Sequence, residues 1–369
     1  MVNTVVVGLQ LGDEGKGKVC DYLMQEHDIC VRYNGGPNTG ATVWVGDKKY
    51  KFHHIPVGVI QNKPSYIAST CYVNPLKLLK EIETLKTLGI DVSNLKISPY
   101  CHTITETHLM QDSQTEQTSQ GVGSTKQGIS PCARDKFSRT GFRLHQWNAI
   151  EHSSLEKHFV DVSGELNYWI QNKKSILFEG AQGTLLDIDH GLYPWVSTSN
   201  NVAGAAAMAC GIGPQHINKV VGVFKPYVTY VGNNEFQTEI KDQKLNDLIV
   251  ELGHEYGTTT GRRRRVGWLS LPLLHYACMV NGVTDLAVTK GDVLEGLEFQ
   301  MDQDFYDYKD PLWLTNYKAN LSLVYPSEMP FSLDSFVSLF NMEFASYGIP
   351  KIKYVSTGKE RNEMIVSNG

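Results

Sequence analysis

Apolar and polar residues follow one another along the chain in blocks that predict strands leading into helices. Short apolar or β-branched runs, bounded by glycine or polar residues, predict strands at residues 4–7, 29–33, 90–98, 175–178, 220–224 and 285–289. The spacing over residues 75–88 predicts an amphipathic helix with the apolar face Leu76, Leu78, Leu79, Ile82 and Leu85. Because strands repeatedly end in glycine loops that open helices, we expect an α/β fold with a mostly parallel central sheet flanked by helices.

The composition is ordinary for a globular enzyme and narrows the range of partners. The 369 residues are 41% apolar and 20% charged with a formal charge of −5, so no nucleic acid is expected as a partner. Seven scattered cysteines without a CxxC pair predict neither a disulfide framework nor a zinc site. No signal peptide and no apolar run of ~20 residues is found, so we expect a cytoplasmic protein, in the host cytoplasm if the source is viral, with no membrane partner.

Residues 10–18 follow the first predicted strand and read Gln-Leu-Gly-Asp-Glu-Gly-Lys-Gly-Lys. Such glycines let backbone N–H groups converge on an anion, the next helix adds partial positive charge at its N-terminus, and Lys16 adds a full charge. The P-loop-like phosphate loop departs from the usual spacing, because Gln10 replaces the first glycine and Gly17 replaces the Ser or Thr that would hold magnesium. The metal then needs another ligand, for which Asp13 is the candidate. The plainer alternative is a glycine turn.

The nonapeptide resembles the signature of the adenylosuccinate synthetase family, which joins L-aspartate to C6 of a purine nucleotide at the expense of GTP. The resemblance implies that residues 1–369 form one domain with loop subdomains, and that Asp13 and the Gly40 carbonyl hold Mg²⁺ as the cofactor. It implies catalytic roles for Asp13, which would take the purine N1 proton, for Lys16 and for Gln182. Contacts to the triphosphate donor would come from Gly12, Glu14, Gly15, Lys16 and Gly17.

Three further segments extend the resemblance to the purine nucleotide: residues 34–43, 121–143 and 179–197. They imply substrate contacts from Asn38, Thr125, Arg139, Gln182 and Ser197. A glutamine amide offers both a donor and an acceptor, which suits a base edge. Arg139 would reach the substrate phosphate from the partner subunit of a homodimer. From its glycine, serine and threonine content we expect residues 121–143 to form a loop.

Four consecutive arginines follow a threonine-rich glycine loop at residues 255–268. A nucleic-acid interpretation is poor because the run is short and the chain is acidic. Arginine binds carboxylates bidentately, which suits a dicarboxylate substrate. The resemblance implies that L-aspartate is held by Thr259, Thr260 and Arg262. It also implies that the nucleotides are contacted by Arg264, Lys290, Asp292, Ser356 and Gly358, with the Lys-x-Asp pattern reading a guanine base.

Some positions depart from the family pattern or stay ambiguous. The family has a charge-stabilising histidine where this chain has Ala41, and residues 230–234 and 126–127 are also changed. His53 and His54 are either nearby replacements or a partly buried pair on a strand. A third ambiguity concerns Asp187, Asp189 and His190, which we interpret as an Asp- and Gly-rich turn rather than a metal cluster. Residues 299–330 match no function.

The sequence therefore predicts a ligase for L-aspartate, a 6-oxopurine nucleotide and GTP or ATP, acting through a 6-phosphoryl intermediate. Ala41 and the changed loop at residues 230–234 favour dGMP as the substrate, as in phage relatives that make 2-aminoadenine nucleotides. The main alternative is the housekeeping reaction with IMP and GTP. A nucleotide-binding homologue with impaired catalysis is the second alternative, and a signalling GTPase is remote because it would need no aspartate loop.

Overall fold

The computed structural model describes residues 2–118, 121–148, 152–257, 261–305 and 309–367. Its strands are β1 (Thr4–Gly8), β2 (Ile29–Arg32), β3 (Ala41–Val45), β4 (Lys48–Phe52), β5 (Ser65–Ile67), β6 (Tyr72–Val73), β7 (Leu95–Ile97), β8 (His102–Thr103), β9 (Ile176–Glu179), β10 (Lys219–Phe224), β11 (Tyr227–Tyr230), β12 (Arg265–Ser270), β13 (Asp285–Val288), β14 (Phe299–Asp302), β15 (Leu321–Tyr325), β16 (Ile352–Ser356) and β17 (Met364–Val366). Its α-helices are α1 (Lys16–Leu23), α2 (Pro75–Thr87), α3 (Glu106–Thr115), α4 (Ile129–Ser138), α5 (His152–Glu156), α6 (Val162–Gln171), α7 (Gly204–Cys210), α8 (Gln243–Gly253), α9 (Leu271–Asn281), α10 (Trp313–Asn316) and α11 (Leu333–Glu343).

Nine strands form a central sheet in the order β17-β16-β13-β10-β1-β9-β2-β5-β7. All neighbours in it are parallel except β16 and β17. The middle strand is β1, whose Thr4 pairs with Lys219 of β10 on one side and with Leu177 of β9 on the other. The predicted α/β fold with a mostly parallel central sheet is confirmed.

Helices cover both faces of this sheet. Along β1, Val5 and Val7 belong to a core cluster that contains residues of α6, α7, α8, α9 and α11, whereas Val6 belongs to a second cluster with residues of α1 and α2. Successive side chains of a strand point to opposite faces, so a strand covered on both sides must be apolar throughout. This is why β1 reads as a continuous apolar run rather than an alternating one.

Residues 299–330, which matched no function, contribute β14 and β15 to a smaller sheet of order β11-β12-β14-β15. In that sheet β12 and β14 are parallel, and the two outer pairs are antiparallel. The smaller sheet packs with the first core cluster through Phe299 and Met301. The segment therefore has a structural role in supporting β11 and the loop that follows it.

The prediction of a loop over residues 121–143 is wrong for α4. Gly128 adopts the left-handed conformation, with φ 74°, immediately before the helix. Pro131 lies in the first turn, where its missing N–H would have had no partner within the helix. Ile129, Cys132 and Ala133 then supply a buried face at helical spacing. The Gly, Ser and Pro content that indicated a loop instead marks the start of a helix.

Other sequence predictions differ from the structure in extent. The helix predicted at residues 75–88 is α2, but Leu76 is 54% exposed, because it lies nearly opposite Leu78 around the helix. The buried apolar residues are Leu78, Ile82 and Leu85. The strand predicted at residues 90–98 is confined to β7. The other predicted strands start and end within one residue of the observed ones.

The parallel strands place the predicted site loops together. Loops after β1, β2, β9, β10, β13 and β16 all leave the sheet at its carboxyl edge, where ligands bind in open α/β folds. They carry the phosphate loop, residues 34–40, residues 180–182, Lys225, Lys290 and Gly358. One edge of one sheet thus collects segments that are more than 300 residues apart.

Candidate active site

A large cavity opens at this edge, and most predicted site residues line it. The residues in its wall are Gly12, Asp13, Gly15, Lys16, Gly17, Asn38, Gly40, Thr125, Gln182, Ser197, Arg264, Lys290, Ser356 and Gly358. Four predicted residues are not in its wall: Glu14, Arg139, Arg262 and Asp292. Thr259 and Thr260 lie outside the described residues. Most of the residues predicted from the sequence are therefore brought together, from segments spread between residues 12 and 358.

The phosphate loop is a tight turn with three residues at positive φ: Gly12 at 86°, Asp13 at 60° and Gly15 at 82°. The buried Glu14 carboxylate supports it from behind, accepting hydrogen bonds from Gln10 N at 3.1 Å and Gly12 N at 2.9 Å. Lys16 Nζ lies 2.6 Å from the same carboxylate. The Glu14 side chain thus shapes the loop from inside, and Lys16 extends from it into the cavity wall.

Asp13 is held by an arginine at the mouth of the phosphate loop. Its Oδ2 atom is 2.7 Å from Arg264 Nε, and about a third of its side chain remains exposed. Gly40 lines the same cavity as Asp13. A carboxylate and a backbone carbonyl are suitable ligands for Mg²⁺, which takes only one or two protein ligands and completes its shell with phosphate and water. These residues therefore fit the magnesium site that the resemblance implies.

Two amide oxygens of the site have no hydrogen-bond partner among the described residues. They are Asn38 Oδ1 and Gln182 Oε1, and both are buried. Gln182 is at positive φ, 56°, and its Nε2 atom donates to Thr39 Oγ1 at 3.4 Å. Because a buried polar atom without a partner is costly, such atoms in a cavity wall are expected to meet ligand donors. The arrangement suits recognition of a base and its neighbouring groups.

Ser197 is tied to its own loop on the opposite wall. Its hydroxyl donates to Leu186 O at 2.9 Å and accepts from Asn201 Nδ2 at 3.0 Å. Nearby, Asp187 accepts backbone hydrogen bonds from Asp189 at 2.9 Å and His190 at 3.0 Å. In the part of the chain that the structure describes, no group of three metal-ligating side chains occurs. These contacts agree with the interpretation of residues 187–190 as a turn.

Ala41 begins β3 and is 8% exposed. A Cβ added at Gly17 would lie 3.0 Å from the Ala41 Cβ, so the two small residues pack closely where α1 begins. His53 and His54 follow β4 in a bend, so they are not on a strand. The His53 Nδ1 atom lies 2.7 Å from Thr39 O, and His54 pairs with the buried Glu81 at 3.2 Å. Neither histidine is in the cavity wall, where lysines and arginines supply the positive charge.

The aspartate clamp is described only in part. Arg262 Nη2 donates to Val231 O at 2.6 Å and to Gly123 O at 3.1 Å, joining the loops that carry residues 121–125 and 230–234. In that second loop the Tyr230 hydroxyl donates to Asn234 Oδ1. Arg139 is exposed at the end of α4. Arg139 is not in this chain's own cavity wall.

Three charged residues that the sequence analysis did not single out complete the site. Lys18, on α1, donates to Ser356 Oγ at 2.8 Å, to Gly358 O at 2.5 Å and to Glu363 O at 2.8 Å. Burial lowers the pKa of Lys18 to about 8, although Glu363, Asp292 and Glu360 oppose that shift. The others are Lys225 and Glu255, which are fully buried. A charged residue directly after the buried strand β10 was a usable signal for Lys225.

Comparisons with known proteins agree with this geometry. The family model described as Adenylosuccinate synthetase matches residues 5–152 and 146–301. An adenylosuccinate synthetase of Thermodesulfovibrio yellowstonii is 41% identical over 338 residues, covering 81% of this chain and 79% of that protein. Among solved structures, the fully ligated adenylosuccinate synthetase from Plasmodium falciparum is 31% identical, with a TM-score of 0.89 and coverage of 100% of both chains.

A second solved structure is more distant. The cyanophage S-2L succinoaminodeoxyadenylate synthetase, bound to dGMP and to dATP as an energy donor, is 19% identical, with a TM-score of 0.73 over 100% of this chain and 97% of that chain. This likeness shows the fold alone. No helix in the described ranges is long and apolar enough to cross a membrane. On its family match and its 41% identity to a curated synthetase, this chain belongs to the adenylosuccinate synthetase family of C–N ligases.

Proposed function

We propose that this chain joins L-aspartate to C6 of IMP, with GTP as the phosphoryl donor. The observation that carries the proposal is one cavity wall containing the phosphate loop, Asp13, Gln182 and Lys290, the first residue of the Lys-x-Asp segment. The 41% identity to a curated adenylosuccinate synthetase supports IMP, whereas the dGMP-bound relative is only 19% identical. The preference for dGMP that the sequence analysis favoured is therefore replaced by its alternative.

The chemistry would proceed in two steps. Asp13 accepts the N1 proton of IMP, and O6 attacks the γ-phosphorus of GTP, so the bond to the β–γ bridging oxygen breaks and GDP leaves. The neutral amino nitrogen of aspartate then attacks C6, the C6–O6 bond breaks, and the departing phosphate takes up the proton that the nitrogen loses. Lys16, which lines the cavity, would stabilise charge on the transferred group. When bound, Mg²⁺ supplies positive charge at the triphosphate, and Asp13 and the Gly40 carbonyl are the residues that would hold it.

Ala41 stands where the family has a charge-stabilising histidine. The proposed reaction therefore needs other groups to stabilise the developing charge. Removing one donor to a developing charge typically costs about 10²–10³ in rate. The cavity wall offers other cations near the phosphate loop, including Lys16, Lys51 and Arg264. We propose that these cations carry the charge stabilisation. A homologue that binds nucleotides without turnover remains the outcome to expect if they do not.

One observation still favours dGMP as a second candidate, namely the changed loop at residues 230–234. Asparagines there could in principle read the 2-amino group of guanine. The Asn234 side-chain Oδ1 atom, however, accepts from the Tyr230 hydroxyl, so part of this polar capacity is used within the loop. The loop therefore supports guanine recognition less than its composition alone would indicate.

The proposal is tested by measuring kcat/KM for IMP, GMP and dGMP with L-aspartate, each with GTP and with ATP, at one salt concentration. We expect the IMP and GTP pair to give the highest value. A higher value for dGMP would support the second candidate instead. No product with any pair, together with measurable nucleotide binding, would identify a homologue with impaired catalysis.

A further inference from the structure

A buried carboxylate behind the active site accepts hydrogen bonds from three cationic side chains and one tyrosine hydroxyl. Glu255 lies just after α8 and is fully buried. Its Oε1 atom accepts from Lys225 Nζ at 3.1 Å, Lys290 Nζ at 2.8 Å and the Tyr227 hydroxyl at 2.7 Å. Its Oε2 atom accepts from Arg264 Nη1 at 2.5 Å. Burial by itself would raise the pKa of the Glu255 carboxyl, but Lys225, Lys290 and Arg264 hold it well below its usual range.

The contacts of Glu255 lead back to the phosphate loop by two routes. On one route, Arg264 donates a hydrogen bond from Nη1 to Glu255 and forms an ion pair with Asp13, whose Oδ2 atom lies 2.7 Å from Nε. On the other, the Lys225 backbone is paired with the Gln10 side chain, by Lys225 N to Gln10 Oε1 at 3.0 Å and Gln10 Nε2 to Lys225 O at 2.9 Å. Residues 10 and 13 are thus joined through Lys225, Glu255 and Arg264, and Asp13 is the one member of this set that is not buried.

A branch of these contacts reaches the Lys-x-Asp segment. Lys290 is at positive φ, 54°, and its Nζ atom also donates to Gly253 O at 2.8 Å. Lys290 is therefore held by the same Glu255 carboxylate that holds Arg264, the ion-pair partner of Asp13. Three cations and two carboxylates make up the group, so one positive charge is left over. Arg264 and Lys290 line the cavity, which places the excess charge on the ligand side.

We propose that Glu255 is a positioning residue that couples the orientation of Asp13 to the loop that holds the base of the triphosphate donor. The coupling acts through the Arg264 fork on one side and the Lys290 ammonium on the other. The inference rests on the proposed function, in which Asp13 is the base of the first step. It predicts that a change at Glu255, which lies outside the cavity wall, alters both turnover and binding of the triphosphate donor.

The substitution Glu255→Gln tests the coupling because it keeps the shape of the side chain and removes its charge. An amide would direct hydrogens at some of the lysine and arginine donors, so Arg264 and Lys290 would lose a common acceptor. We expect kcat to fall 30-fold or more, KM for GTP to rise at least fivefold and KM for L-aspartate to stay within twofold.

Asp302→Asn is the matched control. Asp302 is also fully buried and accepts from a tyrosine hydroxyl, Tyr317 at 2.6 Å, but it lies in the smaller sheet outside the cavity wall. Both variants should lower Tm, and only Glu255→Gln should change kcat and KM for GTP. Equal kinetic effects in the two variants, or unchanged kinetics in Glu255→Gln, would overturn the proposal.

A second variant covers the case in which Glu255→Gln does not fold. Arg264→Lys keeps the positive charge but cannot bridge two carboxylates with a planar fork. We expect the same 30-fold loss of kcat with little change in KM for L-aspartate. A kcat within threefold of wild type would contradict the coupling.

Failure of the proposed function can be separated from failure of this inference. If the wild-type protein makes no product, the proposed function is wrong. The positioning role of Glu255 is then tested by measuring GTP affinity by calorimetry. Glu255→Gln should then weaken GTP binding at least tenfold more than Asp302→Asn does. Comparable affinities in the two variants would overturn the inference on its own.

Discussion

At the scale of single residues, Asp13 combines a left-handed backbone with a charged partner. A non-glycine residue at φ 60° is uncommon, and such conformations persist where surrounding contacts fix them. Here the fixing contacts are the Arg264 guanidinium and the hydrogen-bonded turn around Glu14. Asp13 lies in the cavity wall, where the proposed mechanism requires a proton acceptor.

Replacing Asp13 by asparagine should abolish turnover without unfolding the protein. Asparagine tolerates the left-handed conformation, so this change removes the basic carboxylate at little conformational cost. General base catalysis contributes about 10²–10⁴ in rate, and we expect kcat to fall by that order. Product formation and thermal melting should be measured on the same preparation. Near-normal kcat would eliminate Asp13 as the base, and a large loss of Tm would leave its structural role dominant.

We expect Lys18 to make binding of the triphosphate donor depend on pH. Its ammonium supplies one hydrogen to each of three acceptors around residues 356–363, and burial lowers its pKa to about 8. Above that pH the neutral amine has only two hydrogens, so the loop of residues 356–363, which would lie beside bound GTP, loses one hydrogen bond. We expect KM for GTP to rise between about pH 7 and about pH 9 while KM for IMP changes less. Parallel changes in the two constants would contradict this assignment.

Sequence reasoning identified candidate site residues that belong to a recognisable local motif. Asp13, Lys16 and Gln182 stand in glycine-rich segments, so their type and neighbours indicated a site. Glu255, Lys225 and Lys18 were missed because their function depends on partners far along the chain: Glu255 meets Arg264 nearby but Lys225 and Lys290 across 30 and 35 residues. One sequence does not reveal which buried charges meet.

At the scale of elements, the phosphate loop depends on glycine for its shape. Gly15 precedes α1 at φ 82°, and a Cβ added there would lie 3.2 Å from Thr289 Oγ1, whose hydrogen bond to Glu14 O links β13 to the loop. Both strain and crowding thus oppose a side chain at this position. The loop is fixed from the neighbouring strand as well as from within.

The substitution Gly15→Ala should lower both stability and donor affinity. The left-handed conformation costs an L-residue about 1–2 kcal/mol. Gly89→Ala is the matched control, because Gly89 has φ 83° but its added Cβ would meet nothing within 4 Å. Denaturant unfolding should show a loss in both variants, and only Gly15→Ala should raise KM for GTP. A normal KM in Gly15→Ala would mean that the loop adapts without loss of its function.

The helix α4 shows where element prediction failed and why. Gly, Ser and Pro are typical of loops, yet Gly128, Ser130 and Pro131 form the entry to a helix whose buried face is Ile129, Cys132 and Ala133. In α2, by contrast, closely spaced leucines made the helix easy to predict. The predicted apolar face was too broad because it included the exposed Leu76. Composition alone therefore misidentified the kind of segment in α4 and the width of the buried face in α2, because both depend on packing against neighbours.

At the scale of the whole molecule, a parallel sheet explains how a scattered set of motifs becomes one site. Strand order was not predictable from the sequence, because pairing of β1 with β10 joins residues more than 200 positions apart. The fold class was predictable, since repeated strand, glycine loop and helix patterns have few other solutions. The site at the carboxyl edge then follows from the direction of the strands.

We further propose that the molecule acts as a homodimer in which Arg139 completes the partner's site. Arg139 is exposed and outside its own cavity wall, as this role requires. Mixing inactive Asp13→Asn and Arg139→Ala homodimers in equal amounts should restore about a quarter of the wild-type activity, because half of the randomly formed dimers contain one intact site. Arg139→Ala must first be shown to be inactive alone. No recovery after verified subunit exchange would place Arg139 outside the partner's site.

The central claim, that this family member acts on IMP, is tested most directly by competition in one reaction. Equal concentrations of IMP and dGMP, with excess L-aspartate and GTP, compete for one enzyme, and the initial ratio of the two products equals the ratio of their kcat/KM values. The account predicts at least a tenfold excess of the product formed from IMP. An excess of the product formed from dGMP would contradict it.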